Sequence, residues 1–283
     1  MVFDLADRGI CAAVLTDGPD SPAVGKFRLR TFPVEERKGI IWVWFGNQSP
    51  APIEDDVSTL IFQDDTVVKF RFRTVEGNWR NHAQQEAGHF SMLHRDTIGL
   101  LFAQIFAHTG GRNPEVIQFD DGGEYLVQRT GGPPIMRTEY PGLGHWPPKR
   151  PWRFLPRGGG TVPLKGVDTR GGSFRLPGTL RVINFPFNAA MLFEWYVAED
   201  ADHYTYFQLT CHWPRNPLSK LWTQFWYYLW GRPARKVRFN NQDKSAVAAQ
   251  WRYWKKHGGN RPTRLYRPDA YNFALIEFVN ERA

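Results

Sequence analysis

A chain of 283 residues can bury a substantial core, in one large domain or two smaller ones. Its composition, 42% hydrophobic and 23% charged, is that of a globular protein, and its 12 Trp, 21 Phe and 10 Tyr indicate a wide apolar cavity or extensive interfaces. The two cysteines, Cys11 and Cys211, exclude a disulfide scaffold and a Cys-rich zinc or iron–sulfur site within this sequence.

The chain is basic, with a formal net charge of +8 and a pI of about 9.6. Its short basic runs, such as 232–238, lie in Pro/Gly-rich stretches, so a solvated face is favoured and nucleic-acid binding is not expected. Attraction to an acidic redox partner or an anionic membrane is left open. No signal peptide or membrane-spanning segment is predicted, and two isolated cysteines fit a reducing compartment, so a cytoplasmic location is expected.

The first fifty residues are predicted to form extended segments separated by turns. The cluster 17–22 is a turn, 27–32 alternates apolar with polar residues, and 38–45 has the pattern of a strong strand. The segment 67–73 alternates as a half-buried strand should.

Further along the chain, apolar runs predict four more strands and two helices. The strands are expected at 124–129, 179–183, 191–197 and 203–213, and the helices at 218–230 and 243–256. The intervening stretch 130–178 is rich in Gly, Pro and Arg and is expected to form long loops over the sheet. The sequence therefore predicts an α+β fold, with helices against an antiparallel sheet.

The spacing Glu86-x-x-His89-x-x-x-x-His94 is the most informative motif. Two imidazoles and one carboxylate form the facial triad of non-haem Fe(II) oxygenases. His94 lies five residues beyond His89, roughly 140° round an ideal helix, so a helix must end or kink between them if both are to bind one ion. A new helix over 98–106, capped by Asp96 or Thr97, would provide that break. Alternatively both are ordinary histidines, as are the other six, at positions 82, 108, 145, 203, 212 and 257.

Asp243, in the first turn of the helix predicted at 243–256, is a second candidate carboxylate, although by itself it fits an ordinary helix cap. The two segments together resemble the catalytic domain of the Rieske non-haem iron oxygenases, in the vanillate-demethylase and aromatic-ring-hydroxylating branches. Those enzymes share an Asp/Glu-x-x-His-x4-His motif and a distant metal-binding Asp at a helix start. The run 32–46 and the lead-in Gly77-Asn78-Trp79-Arg80 match them too, so the resemblance extends over roughly residues 1–255.

This resemblance implies a helix-grip catalytic domain over 51–283, with a curved antiparallel sheet and a long C-terminal helix, preceded at 1–50 by the remnant and connector of a small all-β Rieske domain. It implies that His89, His94 and Asp243 bind mononuclear Fe(II). Glu86 would be the acid that links a ligand histidine to the Rieske cluster of a neighbouring subunit, where electrons cross. It further implies a homotrimer, O2, a ferredoxin or reductase as electron donor, and an apolar or aromatic substrate that is hydroxylated or demethylated.

The sequence departs from this family in its cluster ligands. A Rieske [2Fe–2S] centre needs Cys-x-His and Cys-x-x-His, and neither motif occurs here. Residues 2–11 resemble the strand that follows the second ligand pair in the family. The interpretation is either a fragment or a cluster on another polypeptide, and the chain alone is expected to bind Fe(II) but to turn over poorly or not at all.

Two other functions remain open from the sequence, namely a helix-grip ligand-binding module without turnover and a zinc-dependent hydrolase. The aromatic segment 221–230 is open as well. It is interpreted as a wall of the substrate channel or a subunit contact, with a peripheral membrane contact as the less favoured alternative.

Overall fold

The computed structural model describes residues 1–88, 114–119, 121, 123–128, 172–183, 190–233, 240–258 and 270–282. His89, His94, the predicted helix over 98–106 and most of the predicted loop region 130–178 lie outside these residues. The described chain divides into two compact units, Met1–Asp56 and Val57–Ala283.

The first unit is built from two short antiparallel hairpins. Strand β1 (Val2–Asp4) pairs with β2 (Ile10–Ala13), and β3 (Val34–Arg37) pairs with β4 (Ile40–Val43). The strand predicted at 38–45 therefore starts too early, because Lys38 and Gly39 both have positive φ and form the two-residue turn of the second hairpin. The segment predicted as one strand at 2–11 is a hairpin, and 27–32 contributes only a bridge from Arg28 to Ile10.

The second unit contains one antiparallel sheet of seven strands. In sheet order they are β5 (Val67–Glu76), β11 (His203–His212), β10 (Ala190–Ala198), β9 (Thr179–Ile183), β8 (Gly172–Arg175), β7 (Glu124–Gln128) and β6 (Pro114–Gln118). Together with the helices below, this sheet confirms the predicted α+β class.

Five of these strands lie where the sequence predicts them, and β9 has the predicted bounds. Strands β6 and β8 were not predicted. Strand β8 lies inside the stretch 130–178, so the prediction of loops there is wrong for 172–175. The reason is that Gly-Ser-Phe-Arg has little strand propensity of its own. Its pairing with β9 over Gly172–Arg175, and with β7 at two positions, supplies the stability instead.

Four α-helices are described, namely α1 (Trp79–Gly88), α2 (Pro217–Trp226), α3 (Asn240–Lys256) and α4 (Ala270–Arg282). Helix α2 starts with a capping box between Asn216 and Ser219 and continues into a π-helical turn, so the predicted helix at 218–230 is confirmed. Most of its large apolar side chains are exposed to solvent. No described helix is both long and apolar enough to cross a membrane.

The core of the second unit lies between one face of the sheet and helices α1, α3 and α4. It is formed by buried side chains of all these elements, among them Val75, Leu180, Tyr204, Val247 and Leu275. The opposite face of β5 is open, and the rings of Phe70 and Phe72 stand there beside Phe207.

Candidate metal centre

Asp243 is the predicted ligand that the described residues contain. It lies in the first turn of α3 with only 1% of its surface exposed, which is rare for a carboxylate unless a charge or donors compensate it. Helix α3 packs against α1 and β5. Helix α1 contains Glu86 and is described as far as Gly88, the residue before His89. The fold thus places the Asp243 helix beside the helix that leads into the two predicted histidine ligands.

A second buried carboxylate, Glu194 on β10, was not foreseen from the sequence. It is 2% exposed and accepts hydrogen bonds from Gln208 Nε2 at 2.6 Å, from Tyr196 Oη at 3.1 Å and from Tyr206 Oη. Burial raises the pKa of Glu194, the three hydrogen bonds oppose that rise, and the nearby charge of Asp243 adds to it. The one available signal was a single acid inside the apolar run of β10.

The start of α3 is attached to the sheet by Asn240, which is almost completely buried. Its Oδ1 accepts a hydrogen bond from Arg71 of β5, and its Nδ2 donates to Tyr206 Oη of β11 at 3.1 Å. Arg71 lies directly opposite Gln208 in the β5–β11 pair and donates to its side chain, so the same group of residues also contacts Glu194. Burial lowers the pKa of Arg71.

A second arginine of β5 strengthens this attachment. Arg73 Nη1 donates to Asn241 Oδ1 at 2.8 Å, and Nη2 donates to the backbone oxygen of Asn240 at 2.5 Å. Its guanidinium also lies 5.8 Å from the centre of the Tyr206 ring. Two cations of one strand therefore hold the turn of α3 that carries Asp243.

Helix α1 is attached to the neighbouring strand β11 through His82. The imidazole is fully buried, its Nδ1 lies 2.5 Å from Tyr204 Oη, and its ring is 5.0 Å from the rings of both Tyr196 and Tyr206. Burial, with the nearby charge of Arg73, lowers the pKa of His82 to about 3, so the ring is neutral at physiological pH. From the sequence His82 was predicted to be structural, but the local pattern did not indicate that Tyr204 is its partner.

These residues suit a divalent cation with carboxylate and imidazole ligands. Asp243 and Glu194 are both buried and close enough for the charge of one to raise the pKa of the other, and a cation beside Asp243 would offset that repulsion. Ions such as Ca²⁺ and Mg²⁺ are usually bound by oxygen ligands, mainly carboxylates. Here the sequence has two histidines, His89 and His94, directly after α1, which favours a transition metal.

The sequence is similar to those of known ring hydroxylases and oxygenases. Residues 156–283 match the model of the homotrimeric ring hydroxylase family. The terminal oxygenase component of carbazole 1,9a-dioxygenase from Metapseudomonas resinovorans is 29% identical over 219 residues, which cover 71% of this chain and 52% of that protein. The corresponding component from a Sphingomonas species is 29% identical over 212 residues.

Solved structures show the same fold. The oxygenase of carbazole 1,9a-dioxygenase, in a complex with its ferredoxin, superposes with a TM-score of 0.73 at 23% identity and covers 98% of this chain and 70% of that chain. The terminal oxygenase from Nocardioides aromaticivorans IC177 gives 0.71 at 21% identity, over 99% of this chain and 75% of that chain. The predicted resemblance to the Rieske non-haem iron oxygenase catalytic domain is confirmed. The chain spans about half the length of the curated oxygenases that it matches.

Among the Rieske oxygenase features predicted from the sequence, the described residues bring together the helix with Asp243 and the helix with Glu86. They do not include His89 or His94, so the set of three ligands remains a prediction. The residues that sequence reasoning missed are those that hold the two helices, namely His82, Arg71, Glu194, Tyr206, Gln208 and Asn240.

Proposed function

We propose that the chain is the catalytic domain of a Rieske-type oxygenase, which uses mononuclear Fe(II) and O2 to hydroxylate or demethylate an apolar, aromatic substrate. Electrons would come from a [2Fe–2S] cluster whose Cys and His ligands are not among these 283 residues. The observation that carries the proposal is the buried Asp243, on a helix that packs against the one leading into His89.

In this proposal His89, His94 and Asp243 would hold the iron, and a centre with two imidazoles and one carboxylate supplies activation of O2 beside a bound substrate. Asp243 contributes the negative charge of the site from a position closed to bulk water. The hydrogen bonds of Arg71 and Arg73 hold the helix turn that contains Asp243. Glu194 is a second buried acid, close enough for the charge of Asp243 to act on it. Glu86 in α1 would orient a ligand imidazole and relay electrons to it.

We propose the substrate class and the assembly from the relatives. The relatives that match are terminal oxygenases of carbazole 1,9a-dioxygenase, and the matching family is described as homotrimeric. We extend to this chain an aromatic substrate, a homotrimer and electron delivery from a ferredoxin or reductase. The exposed apolar side of α2, which includes Leu221, Trp222 and Phe225, would serve as a subunit contact or a channel wall.

Metal content after anaerobic purification and iron reconstitution tests the ligand set. The wild-type chain should bind one iron, and His89→Ala, His94→Ala and Asp243→Ala should each lose it. His203→Ala removes an exposed histidine of β11 and is the matched control that should keep the iron. Tight zinc with esterase activity would instead establish a hydrolase and refute the proposal.

Electron delivery is tested separately from iron binding. Glu86→Gln should retain one iron per chain but slow single-turnover oxidation when a reduced Rieske protein is supplied. The chain with only a reductase and NADH should turn over poorly or not at all. Continuous NADH-coupled turnover under those conditions would show that these residues need no cluster, contrary to the proposal.

A further inference from the structure

We infer that Tyr204 and Tyr206 of β11 are positioning residues that set the spacing of the two helices on which the proposed iron ligands depend. The hydroxyl of each tyrosine is hydrogen-bonded to a different helix, that of Tyr204 to His82 of α1 and that of Tyr206 to Asn240 of α3. The inference rests on the proposed function, since it concerns the geometry of the same iron site.

The two tyrosines lie on the same face of one strand. They are two residues apart, so their side chains project together from β11 at a spacing of about 7 Å, which the strand backbone fixes. Both are buried, and β11 is paired with β5 on one side and β10 on the other from Tyr204 to His212. The side chains bonded to these two hydroxyls are therefore held at fixed positions by the rigid strand β11.

Tyr206 contacts both helices directly. Its hydroxyl accepts the 3.1 Å hydrogen bond from Asn240 Nδ2, and its ring lies 5.0 Å from the imidazole of His82. Its hydroxyl proton goes to Glu194, which fixes the direction of the O–H bond and leaves a lone pair for Asn240. Removal of this hydroxyl should therefore loosen the attachment of Asn240 and shift the start of α3.

The residues that the two tyrosines contact, Asn240 and His82, act as anchors of their helices. Each lies within about one helical turn of a proposed site residue. Asn240 precedes Asp243 by three residues, which places both on one side of α3, and both are buried there. His82 precedes Glu86 by four residues in α1. A shift of either anchor is transmitted to the next helical turn, and metal sites lose affinity when supporting contacts let the ligands move by about 1 Å.

A purely structural role would give a different result, because any buried tyrosine hydroxyl contributes to stability. Tyr271 provides the matched control. It is a fully buried tyrosine of α4, and its hydroxyl donates to the backbone oxygen of Leu126 at 3.0 Å. Among the side chains that the structure describes, it makes no hydrogen bond to α1 or α3. Tyr271→Phe therefore removes one buried hydroxyl hydrogen bond without touching either anchor.

The test compares Tyr204→Phe, Tyr206→Phe and Tyr271→Phe in the full chain. Three quantities are measured, namely Fe(II) affinity by competition with a chelator, the electron paramagnetic resonance spectrum of the Fe(II)–nitric oxide adduct, and the melting temperature. We expect Tyr206→Phe to weaken Fe(II) binding by about tenfold and to change the rhombicity of the spectrum. Tyr204→Phe should act in the same direction, and Tyr271→Phe should leave affinity and spectrum as in the wild type.

The outcomes are distinguishable from failure of the proposed function. If the wild-type chain binds no iron, the proposed function fails and the inference fails with it. If the wild type binds iron and both β11 variants match its affinity and spectrum, only the positioning role is refuted. It is also refuted if Tyr271→Phe weakens iron binding as much as they do. If Tyr206→Phe does not fold, Tyr204→Phe decides alone, since the Tyr204 hydroxyl contacts the His82 imidazole of α1 directly.

Discussion

Glu194 on β10 and Asp243 on α3 are both buried, and the charge of Asp243 contributes to raising the pKa of Glu194. Two carboxylates placed in this way repel each other, which costs folding free energy and favours a bound cation. Such a cost is typical of functional sites, where binding geometry is retained at the expense of stability.

Asp243→Asn should therefore separate stability from metal binding. We expect the variant to lose iron while the metal-free protein keeps or gains a few degrees in melting temperature, because the buried charge of Asp243 is replaced by a neutral amide. Calorimetry of the metal-free protein and metal analysis after reconstitution measure the two effects. Asp200→Asn, which changes an exposed carboxylate, should leave iron binding unaltered. A loss of several degrees in Asp243→Asn would mean that Asp243 stabilises the fold itself.

Gly77, at the junction of β5 and α1, fixes how closely α1 approaches α3. Its φ is +139°, and a Cβ there would lie 2.8 Å from Val247 Cγ1 of α3. Gly77→Ala should therefore cost about 2 kcal/mol or more of unfolding free energy. Gly258→Ala is the matched control, because Gly258 also has a positive φ but has open space around it, and it should cost only about 1 kcal/mol.

The steric part of that cost can be isolated. Val247→Ala in the Gly77→Ala background should recover stability relative to the sum of the two single changes, because the Val247 Cγ1 atom that the added Cβ would meet is then absent. Urea unfolding of the four proteins measures this coupling. Strict additivity would show that the strain comes from the backbone alone.

His82 should make the folded state sensitive to mild acid. The pKa of His82 is lowered to about 3 by burial and the charge of Arg73, whereas the unfolded group titrates near 6.5. As pH falls below 6.5 the unfolded chain takes up a proton that the folded chain does not, so the unfolding free energy falls until about pH 3 and is unaffected by this group above 6.5.

Between pH 7.5 and 5.5 this single group should remove about 1.4 kcal/mol of unfolding free energy. His82→Gln cannot titrate but keeps a hydrogen-bonding side chain near Tyr204, so its stability should change less over the same interval. Denaturant unfolding at the two pH values compares the variants. If the wild type and His82→Gln depend on pH equally, a group other than His82 is responsible for the loss of stability in mild acid.

The strands that carry the site could be predicted because their own residues are sufficient to define them. Strands β9, β10 and β11 are apolar or alternating over most of their length, and burial of one or both faces follows from that pattern. Strand β8 could not be predicted, since it exists through its neighbours in the sheet. The turn at Lys38-Gly39 was missed because its positive φ values interrupt a run that is otherwise favourable for a strand.

The site itself divides in the same way. Asp243 could be proposed from a motif at the start of a helix, together with the family resemblance. The supporting contacts could not, because they join residues that are distant in the chain and meet only through strand register. Arg71 and Asn240 are 169 positions apart, and His82 and Tyr204 are 122 apart. Local sequence patterns contain no information on such pairs.

Arg181 of β9 and Asp121 form a fully buried ion pair at 3.2 Å. The guanidinium carbon of Arg181 lies 3.8 Å and 3.7 Å from the ring centres of Phe119 and Tyr125, and Ser58 donates a hydrogen bond to Asp121 at 2.5 Å. Breaking such a pair leaves an uncompensated charge in the core. Asp121→Ala should therefore cost about 3–5 kcal/mol of unfolding free energy.

Replacing both charges should cost less than the two single changes added together. The double variant Arg181→Met, Asp121→Ala leaves neither charge buried, and the methionine side chain fills part of the space between the two rings. A double-mutant cycle by urea unfolding measures the coupling, which we expect to exceed about 1 kcal/mol in favour of the pair. If the single changes simply add, the aromatic stacking of Arg181 would account for its stabilising effect, and the ion pair would contribute nothing beyond it.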